Sequence, residues 1–192
     1  MQQNDDHWRP GQGRRLRAFI VARWGAEEPV FAAALQELSR MGFAVEDVSL
    51  PREESIMGPR EDHPRLTSDL AARIYASDVL IAPAQKSSGP RDWVAWSVDL
   101  AGICYSIPTL LVDRGDDPKR VDTLLAPLRA AQARCDTARA QPFDIAFAVS
   151  RLLQRAPHQA IPDQSSDSRM VYRGPHRSTL GEVMRRHPYR SA

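Results

Sequence analysis

The sequence predicts a three-layer, flavodoxin-like α/β fold, in which a parallel sheet of about five strands in the order 2-1-3-4-5 has helices on both faces. Two observations carry this prediction. Segments of strand length alternate with segments of helical periodicity along most of the chain, which is typical of a parallel sheet. The predicted third and fourth strands, residues 78–83 and 107–112, are apolar almost throughout, and this indicates a sheet that is covered on both faces.

The first strand–helix–strand unit of the prediction lies between residues 16 and 50. A strand over 16–22 is followed by a helix over 27–40, in which apolar residues recur at helical spacing. Gly42 supplies a stop signal for that helix. The second strand, 43–50, alternates apolar and polar residues, so we expect it to bury one face.

A second unit follows a long surface loop. The loop, residues 51–64, is charged and rich in Pro and Gly. After it, the spacing predicts a helix over 66–76, the third strand over 78–83, a helix over 92–105 and the fourth strand over 107–112. A crossover of this kind between parallel strands is right-handed in nearly all proteins.

The end of the predicted domain has a weaker pattern. A turn-rich acidic loop over 113–118 precedes a short helix near 121–125. Residues 130–138 fit either a fifth edge strand or a helix, and an amphipathic helix over 143–153 closes the domain. The sequence therefore leaves two interpretations of residues 130–138, a fifth strand or a helix.

These elements divide the chain into three parts. Residues 1–15 form a flexible leader without periodicity, residues 16–154 form the α/β domain, and residues 155–192 form a linker with a basic tail. Of the 26 basic and 24 acidic residues, seven Arg and three acidic residues lie in 155–192, which gives that part a local charge of +4. The basic character of the chain therefore belongs to the tail.

The tail predicts a docking arm. Residues 178–186 fit one short helix that cannot fold alone. Its apolar residues share one face: Leu180, Val183 and Met184. We expect this segment to dock on the α/β domain, to dock on a protein partner, or to stay disordered. Because the charge is modest and the aromatic residues are few, we expect residues 169–192 to be an arm that binds protein and not nucleic acid.

Composition narrows the class of protein further. Cys104 and Cys135 are the only cysteines, as expected for unpaired thiols in a reducing compartment. No apolar run reaches the length of a membrane span, and the amino terminus lacks the apolar core of a signal peptide. The five histidines have no metal-ligand spacing. We therefore expect a cytoplasmic protein without a metal site or membrane contact.

The sequence also places the expected site. Ligands bind at the carboxyl ends of parallel strands, which here include the loop of residues 84–91 and the helix after it. Gly89-Pro90-Arg91-Asp92 has the chemistry of a helix start. Such a start can bind a phosphate, although capping of the helix alone explains these residues.

Several motifs around that site resemble one known family. They are Ser77-Asp78 before an apolar strand, Trp93-Val94-Ala95-Trp96, and Ile107-Pro108 before a second apolar strand. In this order they resemble the Toll/interleukin-1-receptor (TIR) family. The likeness is closest to the bacterial TIR-like branch that includes the sensor proteins of Thoeris-type antiphage defence. It spans about residues 16–125.

The resemblance departs from the family at one position. The residue after the second Trp is typically the catalytic glutamate, which the resemblance implies would contact the nicotinamide ribose and help to cleave the N-glycosidic bond of NAD. Here that residue is Ser97. A serine hydroxyl cannot supply the charge that stabilises an oxocarbenium-like centre, so no catalytic residue is assigned.

The candidate ligand-binding residues lie in loops, at strand ends and on the Trp helix. Asp47 and Ser49 resemble the polar end of the family's second strand, and Ser87 and Ser88 resemble its Ser/Thr-rich turn. The full set is Arg23, Trp24, Asp47, Ser49, Ser87, Ser88, Trp93 and Ser97. The resemblance implies NAD as substrate or ligand, no required cofactor, and self-association through the domain.

Three functions are therefore compared. The favoured one is a TIR-like protein of bacterial immunity or signalling that acts as a nucleotide-binding or protein-interaction module, with catalysis impaired at Ser97. The first alternative is an active NAD glycohydrolase or cyclase that makes an ADP-ribose-type signal, with Glu53, Glu54 or Glu61 of the long loop in place of the missing acid. The second is a nucleoside deoxyribosyltransferase-like protein, whose family also uses a glutamate at this helical place.

Overall fold

The computed structural model describes residues 15–21, 28–49, 64–85 and 92–154, without the side chains of residues 28 and 64–67. The predictions for the leader before residue 15, for the long loop with its three glutamates, and for the tail after residue 154 lie outside the described residues. All the helices and strands reported below fall between residues 16 and 154.

Five parallel strands form one sheet in the order β2-β1-β3-β4-β5, which confirms the predicted topology. The strands are β1 (Leu16–Ile20), β2 (Val45–Asp47), β3 (Val79–Pro83), β4 (Thr109–Asp113) and β5 (Cys135–Arg139). Residues 130–138, which fitted either a strand or a helix, thus include most of the edge strand β5. This strand pairs with β4 from Cys135 to Arg139.

Five helices surround this sheet in the described part of the chain. They are α1 (Glu28–Arg40), α2 (Pro64–Tyr75), α3 (Trp93–Asp99), α4 (Pro118–Ala130) and α5 (Pro142–Gln154). A π-helical segment, Leu100–Cys104, continues α3. None of the described helices is long and apolar enough to cross a membrane.

Strand β2 is shorter than the predicted strand over 43–50. At its beginning, the backbone N–H of Phe43 donates to the carbonyl of Leu38 (3.1 Å) and so belongs to the turn that ends α1. Gly42 makes this turn with a positive φ of 91°, as a glycine after a helix end commonly does. The predicted helix stop at Gly42 is confirmed. The turn that Gly42 makes takes Phe43 out of the strand that was predicted over 43–50.

Helix α4 is longer than the short helix predicted near 121–125. It begins at Asp117, whose side chain accepts from the backbone N–H of Arg120, and it continues through Pro127. Proline inside a helix removes one hydrogen bond and usually breaks the helix. Here the burial of Leu124, Leu125 and Leu128 stabilises both sides of the proline.

The sheet is covered on both faces, so the predicted three layers are confirmed. Val79 and Ile81 of β3 pack with α1 and α5, whereas Leu80 and Ala82 pack with α2, α3 and α4. This alternation follows from the two-residue period of a strand. Both faces of β3 are fully buried, which explains its continuous apolar sequence.

Gly102 in the π-helical segment fixes the distance between that segment and α4. A Cβ atom at Gly102 would lie 2.4 Å from Cδ2 of Leu128, which is itself fully buried. The segment can approach α4 this closely only because residue 102 has no side chain. The same packing positions the beginnings of α3 and α4 beside each other at the carboxyl edge of the sheet.

Candidate functional site

A pocket of about 220 Å³ opens at the carboxyl ends of β3 and β4. This is the sheet edge at which ligands bind in open α/β folds, and at which the sequence placed the site. Its polar lining comes from the two loops that follow these strands and from the first turn of α4. The polar residues are Gln85, Asp113, Arg114, Asp116, Asp117 and Arg120.

Hydrogen bonds within the pocket wall occupy its three aspartates. Asp113 Oδ1 accepts from the backbone N–H of Gly115 (2.8 Å), and Asp117 Oδ1 accepts from that of Arg120 (3.1 Å). The side-chain amide of Gln85 donates to Asp116 Oδ2 (3.3 Å), and this contact joins the loop after β3 to the loop after β4. The carboxylates therefore give the wall its shape before any ligand binds.

An ion pair joins the two helices beside the pocket. The guanidinium of Arg120 on α4 donates to Asp92 Oδ2, and the two side chains are only 14% and 18% exposed. Asp92 also caps α3, because its Oδ1 accepts from the backbone N–H of Ala95 (3.1 Å). The prediction that Asp92 marks a helix start is confirmed. Arg120 Nε is buried without a hydrogen-bond partner among the described residues.

Ser97 lies in the second turn of α3 and is 2% exposed. It is five residues beyond the cap Asp92, or about 7.5 Å along the helix axis at 1.5 Å per residue. Asp99, two residues further along the helix, is also buried, at 5% exposure. The π-helical segment that follows it packs against both α2 and α4.

The Trp pair packs as core and rim. Trp96 is 1% exposed, whereas Trp93 is half-buried. Their rings meet edge to face, with centroids 5.5 Å apart and an interplanar angle of 79°. The indole Nε1 of Trp96 is buried without a hydrogen-bond partner in the described part of the chain. Of the two rings, that of Trp96 is buried and that of Trp93 is partly exposed.

Asp47 and Ser49 lie at the carboxyl end of β2. Ser49 Oγ accepts from the backbone N–H of Ile20 (2.7 Å), and the N–H of Ser49 donates to Asp47 Oδ1 (2.9 Å). Arg73 of α2 donates to the carbonyl of Ser49 (3.2 Å). These contacts tie the end of β2 to β1 and α2. Since β1 separates β2 from β3, about 10 Å of sheet lies between this pair and the pocket.

The predicted site residues thus fall into three groups. Asp47 and Ser49 are together beyond β1, and Trp93 and Ser97 share one helix. The other four lie outside the described residues: Arg23, Trp24, Ser87 and Ser88. Ligand binding by all eight stays a prediction.

The sequence reasoning missed most of the pocket wall. Gln85 and Asp116 are 31 residues apart and meet only because β3 and β4 are neighbours. One signal was available. Asp117-Pro118 has the pattern of a helix cap followed by proline at the first helical position, and it would have placed Asp117 and Arg120 beside the strand ends. Within the described ranges, no group of three or more His, Cys, Asp or Glu residues is arranged to hold a metal ion.

Comparisons with known proteins give similarities of fold only. No protein-family model matches the chain, and no curated protein is similar to it. Among solved structures, it is similar to a CMP N-glycosidase of Clostridium botulinum, with a TM-score of 0.47 and 12% identity over 70% of this chain and 98% of that chain. It is also similar to a pilus assembly-related protein of Burkholderia pseudomallei, with a TM-score of 0.43 and 15% identity over 76% and 94%. Likenesses this low assign no chemistry to the site.

Proposed function

We propose that this protein is a TIR-like module of bacterial immunity or signalling that binds the nucleoside part of a nucleotide at the carboxyl edge of its sheet and does not cleave NAD. One observation carries the proposal. Ser97, which stands at the family's glutamate position, is an uncharged side chain with only 2% exposure. A buried hydroxyl cannot stabilise the positive charge that develops when the N-glycosidic bond breaks.

The described carboxylates at this edge of the sheet support the loss of catalysis. Asp92 is held by the cap of α3 and by Arg120, and Asp113 and Asp117 accept from backbone N–H groups of their own loop. Each of these described acids thus has a structural role. Moving one of them to the reacting carbon would require the loss of a helix cap or a turn.

The pocket has the size and the lining to bind the nucleoside part of a nucleotide. Its volume of about 220 Å³ is below the roughly 300–1,000 Å³ of sites that enclose drug-sized ligands. The three carboxylates and the Gln85 amide of its lining suit the hydroxyls of a ribose.

The decisive experiment measures nicotinamide release from NAD by chromatography. It compares the unmodified protein with Ser97→Glu and with the uncharged control Ser97→Gln. We expect no release from the unmodified protein or from Ser97→Gln, and release from Ser97→Glu, because only that variant restores the carboxylate. Release by the unmodified protein would contradict the proposal and favour an active glycohydrolase or cyclase that uses another acid. If none of the three proteins releases nicotinamide, that result would count against the TIR assignment.

The same three proteins also test whether this is a deoxyribosyltransferase-like protein and not a TIR-like one. That family, too, needs an acid at position 97. The substrate is then a 2′-deoxynucleoside with a second free base, and the product is the exchanged nucleoside. We expect no exchange with Ser97→Glu. Exchange by that variant without nicotinamide release would replace the TIR proposal by the deoxyribosyltransferase one.

Ligand binding is tested by calorimetry with adenosine, nicotinamide riboside and ADP-ribose. Asp116→Ala removes a carboxylate that lines the pocket, and Lys119→Ala is the matched control, because Lys119 is exposed in the first turn of α4 outside the pocket. Losing one hydrogen bond of about 1.4 kcal/mol corresponds to a tenfold weaker affinity. We expect that loss for Asp116→Ala and none for Lys119→Ala. Equal affinity of both variants for the nucleosides would contradict the assignment of the pocket.

A further inference from the structure

Phe143 and Phe147 form an exposed aromatic pair on α5. The two residues are 60% and 54% exposed, and their rings stack with centroids 6.3 Å apart and an interplanar angle of 11°. They are four residues apart and therefore share one face of the helix. The opposite face carries Ile145, Val149 and Leu152, which are fully buried in the core. The pair is thus not needed to hold α5 on the sheet.

The pair lies near the open edge of the sheet and near the end of the described domain. Arg151, one turn further along the same face, forms an ion pair with Asp136 of the edge strand β5 (2.6 Å). The described part of α5 ends at Gln154. The remaining 38 residues of the chain, 155–192, follow directly from the helix that carries the aromatic pair.

We propose that residues 178–186 of this chain bind the Phe143–Phe147 pair intramolecularly. The apolar residues of this segment have the same spacing as the two phenylalanines. Leu180 and Met184 are four residues apart, so in a helix they are separated by about 6 Å along the axis, as Phe143 and Phe147 are. Met is well suited to such a contact, because thioether sulfur packs favourably against aromatic rings.

The intervening chain is long enough to reach back. Residues 155–177 provide 23 residues, and a random coil of that length spans roughly 25 Å on average. Phe147 and Phe143 lie about 10 and 16 Å back along the helix from Gln154 at 1.5 Å per residue. A segment joined to α5 through 23 residues is therefore within reach of the pair.

The size of the pair favours this occupant over a second copy of the protein. At the observed exposures, the two phenylalanines offer about 200 Å² for burial, whereas a stable interface buries roughly 800 Å² on each partner. Such a small patch binds usefully only when the ligand is tethered and its effective concentration is about millimolar. The net charges also favour an intramolecular contact. Residues 155–192 carry +4, whereas residues 1–154 hold 19 basic and 21 acidic residues and so carry −2.

Hydrogen exchange of the full-length protein, measured by mass spectrometry, tests the proposal. We expect residues 178–186 to be protected, and their protection to fall at least about tenfold in Phe143→Ser/Phe147→Ser and in Leu180→Ser/Met184→Ser. Tyr75→Ser is the matched control, since Tyr75 is 42% exposed on α2, on the other face of the sheet. It should leave the protection of 178–186 unchanged. Exchange of the buried strands β3 and β4 reports whether each variant is folded.

Three results would overturn the proposal. One is exchange of residues 178–186 at the unprotected rate in the unmodified chain. A second is unchanged protection in the Phe143→Ser/Phe147→Ser variant, which would mean that the segment binds elsewhere. The third is protection that rises with protein concentration together with a dimer mass in analytical ultracentrifugation, which would make a second copy the occupant.

Discussion

At the scale of single residues, Gly102 is a position at which one added methyl group should destabilise the protein. Gly102→Ala would place its Cβ 2.4 Å from Leu128 Cδ2, and the buried Leu128 has little room to move. Overpacking of this kind typically destabilises a protein by about 1–3 kcal/mol. We expect a loss of that size in the free energy of unfolding, measured by urea denaturation.

A double-mutant cycle with Leu128→Ala isolates the contact. Leu128→Ala alone should destabilise by about 2–4 kcal/mol, because it leaves a cavity. In the double variant the added methyl group of residue 102 has space, so the combined loss should be smaller than the sum of the two single losses. Additive losses would show that the cost of Gly102→Ala has another origin.

At the scale of elements, α1 and α4 end in the same way with different residues. After α1, Gly42 and Phe43 donate to the carbonyls of Ser39 and Leu38; after α4, Gln132 and Ala133 donate to those of Arg129 and Leu128. This is the Schellman pattern, in which the residue after the cap is left-handed. That residue is Gly42 at φ 91° in the first case and Gln132 at φ 55° in the second.

The comparison predicts opposite effects of substitution at these two exposed turns. Gln132→Gly should stabilise the protein by about 0.5–1 kcal/mol, because glycine adopts the left-handed conformation without strain. Gly42→Ala should destabilise it by about 1 kcal/mol for the same reason. Thermal unfolding of both variants checks the pair. A loss of stability in Gln132→Gly would mean that the Gln132 side chain makes a contact worth more than its strain.

How far the sequence predicts an element depends on how completely that element is buried. Strands β3 and β4 have apolar side chains on both faces and were predicted to within two residues at each end. Strand β5 is half-buried over Cys135, Asp136 and Thr137, and an edge strand of this kind has no distinctive period, so it stayed ambiguous. The pocket depends on contacts between loops such as that of Gln85 with Asp116, which follow from strand order and not from any local pattern.

At the scale of the whole molecule, the two hydrophobic clusters unite the described elements into one domain. One cluster combines α1 and α5 with one face of the sheet, and the other combines α2, α3 and α4 with the opposite face. Strands β1, β3 and β4 contribute to both clusters. Since the strands are shared, neither cluster can open alone without exposing the other, and unfolding should be cooperative.

This sharing predicts how the protein responds to shortening. Every described buried residue of the two clusters lies between Leu16 and Leu153, and we expect a chain of residues 1–154 to unfold in one transition. Its melting temperature should be within about 4 °C of that of the full chain, a shift that corresponds to roughly 1 kcal/mol for the lost contact of residues 178–186. A chain of residues 1–141 is the matched control. It lacks α5 and with it Ile145, Val149 and Leu152, and we expect it to have no cooperative transition in calorimetry. A broad transition for the chain of residues 1–154 would show that residues 155–192 belong to the core. The reason is that only the loss of shared apolar contacts removes cooperativity from a domain of this size.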